Sequence, residues 1–237
     1  MASPSGQRPR RSSPRSHGAT ARSTAGSDTG AVSRHWPPES VFTVLLVCTG
    51  NICRSALAER LGRAYLAETL GADADQVRVT SAGVRAVAGS TMHPDSALVL
   101  RSLGGDPDGF VARQLADDMA IDADLTLTMT RQHQRDVLRG APRALARTFT
   151  LREAAGLVEL VGEDVDVAGN GLAERARSLV EQLAAARSHR RSSLEDDIRD
   201  PIGMPAEVHA EAGDAVAAAL IPVLARIAAL RPADVRT

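Results

Sequence analysis

The segment Val41-Phe-Thr-Val-Leu-Leu-Val-Cys-Thr-Gly-Asn-Ile-Cys-Arg-Ser-Ala-Leu-Ala-Glu59 decides the reading of this chain. Val41 to Val47 is almost wholly apolar and rich in β-branched residues, the pattern of a central parallel strand covered on both faces. Gly50 and Asn51 mark a turn, and Ser55 with the Ala-Leu-Ala run after it opens a helix. The chain therefore passes from buried strand to tight loop to helix. Cys48 closes the strand, and Arg54 follows it after five intervening residues.

That spacing has a chemical meaning. A loop of this length closing on a helix N-terminus turns successive backbone N–H groups inward and makes an anion cradle. Arg54 adds a planar, bidentate donor fork suited to phosphate oxygens. At the base of the cradle, the Cys48 thiol lies beside a helix dipole and a guanidinium, both of which favour the thiolate. A thiolate beneath a held phosphate is a nucleophile aimed at phosphorus.

The rest of the chain supports a cored α/β protein. Its 237 residues suffice for one good-sized domain. Aromatic residues supply only 2% of the composition, so the core is built from Leu, Val, Ile and Ala. A formal charge of −1 gives no whole-chain argument for nucleic acid. Both cysteines, Cys48 and Cys53, fall in one loop, which excludes a structural disulfide framework and fits a reducing compartment. The histidines show no metal-ligand spacing with cysteine or acid, so no metal and no cofactor is expected. His93 and His133 read as helix-cap or surface residues.

Residues 1–40 are rich in Ser, Arg, Pro and Gly and read as a disordered, positively charged tail. No segment reads as a secretion signal or reaches the length of a membrane span, so the reading is cytoplasmic, without membrane insertion. From Val41 the elements alternate, as in a parallel sheet with helices on both faces. Strands are expected at Gln76–Ser81, Ala123–Met129 and Arg147–Leu151, and helices at Ser55–Leu70, Pro94–Leu103, Arg131–Arg139, Leu172–Ala186 and Ala206–Leu230. Pro222 is expected to kink or split the last helix.

Cys48-Thr-Gly-Asn-Ile-Cys-Arg-Ser55 resembles the phosphate loop of the low-molecular-weight protein-tyrosine phosphatases. Further likeness lies in Ser81-Ala-Gly83, Gly109–Leu115, Ala123–Thr130 with His133, Arg147–Glu153 and Asp197-Ile-Arg-Asp-Pro-Ile-Gly203, so it covers nearly everything from Val41 to Leu230. The resemblance implies a three-layer α/β/α domain over residues 41–237, with a four-stranded parallel sheet and an inserted segment at 156–194. It also implies hydrolysis of phosphotyrosine or similar aryl phosphates through a phosphocysteine.

In that scheme Cys48 is the nucleophile, and Thr49, Gly50, Asn51, Ile52, Cys53 and Arg54 hold phosphate. Ser55 donates to the sulfur, and Asn51 and Ser81 brace the loop. Asp200 is the general acid and base, presented by Pro201, with Asp196 and Asp197 as neighbouring rivals. The implied partners are tyrosine-phosphorylated proteins, of the kind represented by a bacterial tyrosine kinase or a polysaccharide-export protein.

The sequence departs from the family pattern at Ala56, where Pro is usual, and at Val87 and Ile202, where aromatic residues often wall the pocket. Cys53 is placed either to form a disulfide with an oxidised Cys48 or to fill space beneath the loop. Arsenate reduction needs further cysteines downstream, and none follows Cys53. Ile52 stands where the phosphoarginine branch has Thr. A binding module that has lost catalysis would lack Cys48, Arg54 or the acid, and all three are present.

Overall fold

The first strand, β1 (Phe42–Cys48), sits in the interior of the sheet and is covered on both faces. Phe42, Val44, Leu46 and Cys48 enter one apolar cluster, and Leu45 and Val47 enter another on the opposite face. This is the strand alternation of side chains with both sides apolar, so a single run of residues cores two layers. The computed structural model describes residues 38–232. Of the segment expected to be disordered, residues 1–37 lie outside the described residues. Pro38–Ser40 forms a 3₁₀ turn, and the Glu39 carbonyl accepts from Arg177 Nη1 at 2.8 Å.

Three further strands are β2 (Val77–Gly83), β3 (Leu125–Thr128) and β4 (Thr148–Thr150). The sheet order is β2-β1-β3-β4, and every pairing is parallel. Helices α1 (Arg54–Leu70), α2 (Pro94–Ser102), α5 (Leu151–Val161), α6 (Leu172–Ala186) and α7 (Ala206–Ala228) cover the larger face. The shorter α3 (Asp117–Asp122) and α4 (Arg131–Gly140) cover the other. The architecture is the expected three-layer α/β/α sandwich around a four-stranded parallel sheet.

Three expectations change. Helices α3 and α5 are absent from the sequence reading, although Thr150-Leu-Arg-Glu153 carries a capping-box signal for α5. The structure closes that box: Thr150 Oγ1 accepts from Glu153 N at 3.1 Å, and Glu153 accepts from Thr150 N at 3.1 Å. Pro222 neither splits nor ends α7, which continues through it as one helix of 23 residues. That helix is long and apolar enough to cross a membrane, contrary to the reading that no segment is. Its Val216, Leu220, Val223, Leu224 and Ile227 are buried in the core.

The stretch read as an insertion packs as part of the main layer. Leu157 of α5 and Leu172, Ala176, Leu179 and Leu183 of α6 are almost fully buried in the cluster that includes β1. The basic end of α6 is committed within the chain, with Arg187 paired to Glu153 at 2.9 Å and stacked on Phe149, and Arg190 paired to Asp196 at 2.5 Å. Leu179→Ala is therefore expected to cost about 2–4 kcal/mol in urea unfolding, the price of a buried Leu-sized cavity. A loss below about 0.5 kcal/mol, as on a surface, would show that α6 is an appendage.

Candidate active site

Cys48 ends β1 and is 2% exposed at the floor of a cavity of about 210 Å³. Thr49, Gly50, Ile52, Cys53 and Arg54 line that cavity from the loop, and Arg85, Val87, Asp200 and Ile202 line it from two other segments. α1 starts at Arg54, so the positive end of its dipole faces the same space. Asn51, Ser55 and Ser81 are fully buried beneath the loop.

The loop's shape depends on Asn51. It is the one non-glycine with positive φ among the described residues, at 54°. Asparagine tolerates this left-handed conformation better than most side chains. Its carboxamide is held at three points: Oδ1 accepts from Arg113 N at 2.9 Å, and Nδ2 donates to Ser55 Oγ at 2.9 Å and to Ser81 Oγ at 2.8 Å. Ser55 Oγ also lies 2.9 Å from Cys48 Sγ and 3.5 Å from the Ala82 carbonyl, so its proton can serve the sulfur once Cys48 is a thiolate, which can only accept. Ser81 in turn donates to Glu59 Oε2 at 2.6 Å. Glu59 is 4% exposed and paired with Arg63 at 2.7 Å and Arg113 at 3.4 Å. The chain of buried polar groups thus runs from Glu59 through Ser81 and Asn51 to Ser55, whose hydroxyl touches the sulfur.

The β2–α2 connection flanks the loop closely. Val84 N donates to Cys48 O, Arg85 N to Thr49 O and Val87 N to Gly50 O, at 2.9–3.0 Å. Gly83 permits this approach, since a Cβ there would lie 2.5 Å from the Thr49 carbonyl oxygen. Arg54 reaches across the cavity floor, where Nη1 donates to Ile198 O at 2.9 Å and Nη2 pairs with Asp200 Oδ2 at 2.5 Å. Its Nε is buried without a protein partner, a donor available to a bound anion.

The acidic cluster sorts itself by partner. Asp196 is 2% exposed, bound by Arg190 and by Ser193 N. Asp197 receives Arg131 N at 2.7 Å and the Arg131 guanidinium at 3.2–3.3 Å. These arginines and backbone donors outweigh burial and hold both carboxyls below the usual range. Asp200 alone of the three lines the cavity, with its side chain 40% exposed. Pro201 behind it is buried.

Two residues take positions the sequence reading missed. Arg113, given no role from the sequence, supplies both the backbone donor to Asn51 and a side chain on Ser81 O and Glu59. His133 is not on the surface; it is 5% exposed. Thr130 caps α4 by accepting from His133 N, its hydroxyl lies 2.9 Å from His133 Nδ1, and His133 Nε2 is hydrogen-bonded to Thr49 Oγ1 at 2.9 Å. The capping pair Thr130–His133 was legible, but the contact with Thr49 spans 84 positions and was not. Cys53 is a free thiol, which burial pushes up to about 11, so it is protonated near neutrality.

Burial, then the Arg54 charge, lowers the His133 pKa from 6.5 to about 4. The unfolded chain therefore binds a proton that the native state refuses across that window. Stability is fully present above about pH 6.5 and falls as pH drops toward 4, by about 3 kcal/mol in total from this group. His133→Gln is expected to flatten the acid limb of the unfolding free energy by that order. An acid limb unchanged from wild type would contradict the buried, neutral imidazole. Asn51→Ala is expected to lower kcat/KM at least about tenfold with a loss of about 1–3 kcal/mol in stability, because the carboxamide holds the loop. Unchanged turnover would contradict that role.

Comparison with known proteins places the chain in a family. Residues 43–168, just over half of the chain, match the profile of the family described as low molecular weight phosphotyrosine protein phosphatase. AmsI of Erwinia amylovora, named as a probable low molecular weight protein-tyrosine-phosphatase, is 36% identical over 109 residues, 46% of this chain and 70% of that one. The low molecular weight protein-tyrosine-phosphatase Etp of Escherichia coli (strain K12) is 36% identical over 107 residues, 45% of this chain and 67% of that one. Among solved structures, the YwlE arginine phosphatase from Geobacillus stearothermophilus is 27% identical with a TM-score of 0.52, over 79% of this chain and 91% of that chain. The chain belongs to the low molecular weight phosphotyrosine protein phosphatase family.

Proposed function

We propose that this phosphatase hydrolyses phosphotyrosine in proteins by two in-line phosphoryl transfers through a phosphocysteine at Cys48. The observation that carries the reading is the convergence of three groups on one cavity. Cys48 Sγ is hydrogen-bonded to the Ser55 hydroxyl at 2.9 Å, Arg54 keeps a free buried donor, and Asp200 stands 2.5 Å from the Arg54 guanidinium.

In the first step the Cys48 thiolate attacks phosphorus while Asp200 donates a proton to the leaving oxygen. Loop amides from Thr49 to Arg54, with the Arg54 side chain, stabilise the equatorial oxygens as charge spreads over them. In the second step Asp200 takes a proton from water, which displaces the thiolate from phosphorus. The Ser55 hydroxyl stabilises the departing sulfur. The Asp200–Arg54 pair exchanges for an Arg54–phosphate pair when substrate enters, which frees the carboxyl to meet the leaving group.

The entrance favours an extended aryl or aliphatic group over a cationic one. Ile52, Val87 and Ile202 line it with apolar surface, the last two about half exposed. Arg85 stands on the same rim and would repel the guanidinium of a phosphoarginine side chain. Tyrosine-phosphorylated proteins, including a bacterial tyrosine kinase or a polysaccharide-export protein, are the partners proposed.

The test is p-nitrophenyl phosphate turnover with a chelator present, followed by a panel of phosphotyrosine and phosphoarginine peptides. Cys48→Ser is expected to abolish turnover, and Asp200→Asn to lower kcat by about 10²–10⁴-fold. Asp196→Asn and Asp197→Asn are expected to affect stability more than kcat. Turnover that survives Cys48→Ser, or phosphoarginine hydrolysed faster than phosphotyrosine, would overturn the reading.

A further inference from the structure

Beside the phosphate loop, three potential ligand side chains meet. Cys53 is the N-cap residue of α1, His93 the N-cap residue of α2, and His209 lies in the first turn of α7. One ligand atom of each lies within 4.8 Å of the others. One backbone bond and one ring contact fix the arrangement: His93 N donates to Ile52 O at 2.8 Å, and the His93 and His209 rings stack with centroids 4.5 Å apart.

Packing alone accounts for the stacked rings but not for the polar atoms. His209 is 1% exposed, and its Nε2 is buried with no hydrogen-bond partner, though the Pro201 backbone acts on the ring without reaching hydrogen-bonding geometry. An orphaned buried nitrogen costs about 1–3 kcal/mol unless something fills its lone pair. Its other nitrogen, Nδ1, is 2.9 Å from Ser96 Oγ, and the Ser96 hydroxyl also acts on the Cys53 thiol, opposing the rise that burial causes. One consistent proton order has Nδ1–H donating to Ser96 Oγ and the Ser96 hydroxyl donating to Cys53 Sγ. That order leaves the Nε2 lone pair bare and supports a thiolate, as the outer partners of metal-bound His and Cys do.

The surroundings suit a cation. The Asp95 carboxylate stands 3.8 Å from His93 Nδ1 and 4.0 Å from His209 Nε2, close enough to serve as a fourth ligand or counter-charge. A void of about 10 Å³, the size of one water or ion, opens beside the cluster between Cys53, Ser96, Pro201 and His209. Arg54 also lines this void, and its charge is matched by Asp200.

We propose that Cys53, His93 and His209 form a binding site for a zinc-class divalent cation, which pins the base of the phosphate loop to the N-termini of α2 and α7. One thiolate, two imidazoles and a nearby carboxylate form the mixed set that zinc takes, at about 2.3 Å to sulfur and about 2.0–2.1 Å to nitrogen. Closing from the present separations needs a ring rotation at His93, whose side chain is 26% exposed; the rotation gives up the 3.3 Å cap from Asp95 N to Nδ1 and the stacking on His209. On binding, the metal–sulfur bond replaces the S–H bond of Cys53 and one proton leaves to solvent, while both imidazoles bind as neutral donors. The occupied site withdraws Cys53 from any thiol exchange with Cys48 and couples the loop to the segment that carries Asp200.

The proposal is independent of which phosphate ester is the substrate. It is tested on the full chain with Zn²⁺ and Co²⁺ as probes. Equilibrium dialysis is expected to give one Zn²⁺ per chain and a raised melting temperature. Co²⁺ is expected to give a thiolate charge-transfer band with the visible bands of a four-coordinate site. Cys53→Ser should remove the charge-transfer band, and His93→Ala and His209→Gln should each weaken Zn²⁺ at least about tenfold. His93→Ala, at the more exposed ligand, keeps the test decisive if His209→Gln fails to fold. Absence of stoichiometric Zn²⁺, affinity unchanged in His93→Ala, or a cobalt–thiolate band lost in Cys48→Ser but kept in Cys53→Ser would overturn the proposal.

Discussion

The structure around the cavity depends on one buried carboxamide. Asn51 adopts a backbone conformation that costs a non-glycine residue about 1 kcal/mol, and its side chain recovers that cost through three hydrogen bonds. The three bonds reach β2 through Ser81, the 109–115 segment through Arg113, and α1 through Ser55. They fix the loop from beneath, while its upper surface faces the cavity. Glu59 makes this workable. A buried carboxylate is tolerable only when paired, and Arg63, Arg113 and the Ser81 hydroxyl all converge on it.

The opposite wall is built by a different device. The segment from Leu194 to Gly203 has little regular structure, and ion pairs and hydrogen bonds, some over long sequence separations, position it. Asp196 is held by Arg190, Asp197 by Arg131 at the start of α4, and Ile198 by a backbone bond to Met129 and by Arg54. These anchors use up two of the three aspartates and leave the third at the cavity mouth. Helix α6 matters here because its C-terminal end delivers Arg187 and Arg190 to Glu153 and Asp196. The helix that looked like an addition to the fold is thus part of the scaffold for the acid-bearing segment.

What was legible in the sequence follows the range of the interactions. The strand–loop–helix unit around Cys48 was readable because its geometry is set by neighbours: an apolar β-branched run, a Gly-Asn turn and a helix former. Helix α6 was placed at Leu172–Ala186 from its apolar stripe, where the structure has it. The short α3 carries too little periodicity to read, and α5 was hidden although its Thr150–Glu153 capping box is local. Side-chain convergence was the least legible. Thr49 meets His133, and Cys53 meets His93 and His209, only because parallel β-strands bring the starts of α1, α2, α4 and α7 to one edge of the sheet. No spacing rule within the chain encodes that meeting.

The account stands on a covalent intermediate at Cys48. The most direct measurement is acid-quenched peptide mapping of the wild-type chain during turnover of p-nitrophenyl phosphate, read by mass spectrometry. Phosphate on the peptide carrying Cys48, formed and lost at rates that match turnover, is the expected result. Steady turnover with no phosphate on Cys48, or with phosphate on another residue, would contradict it.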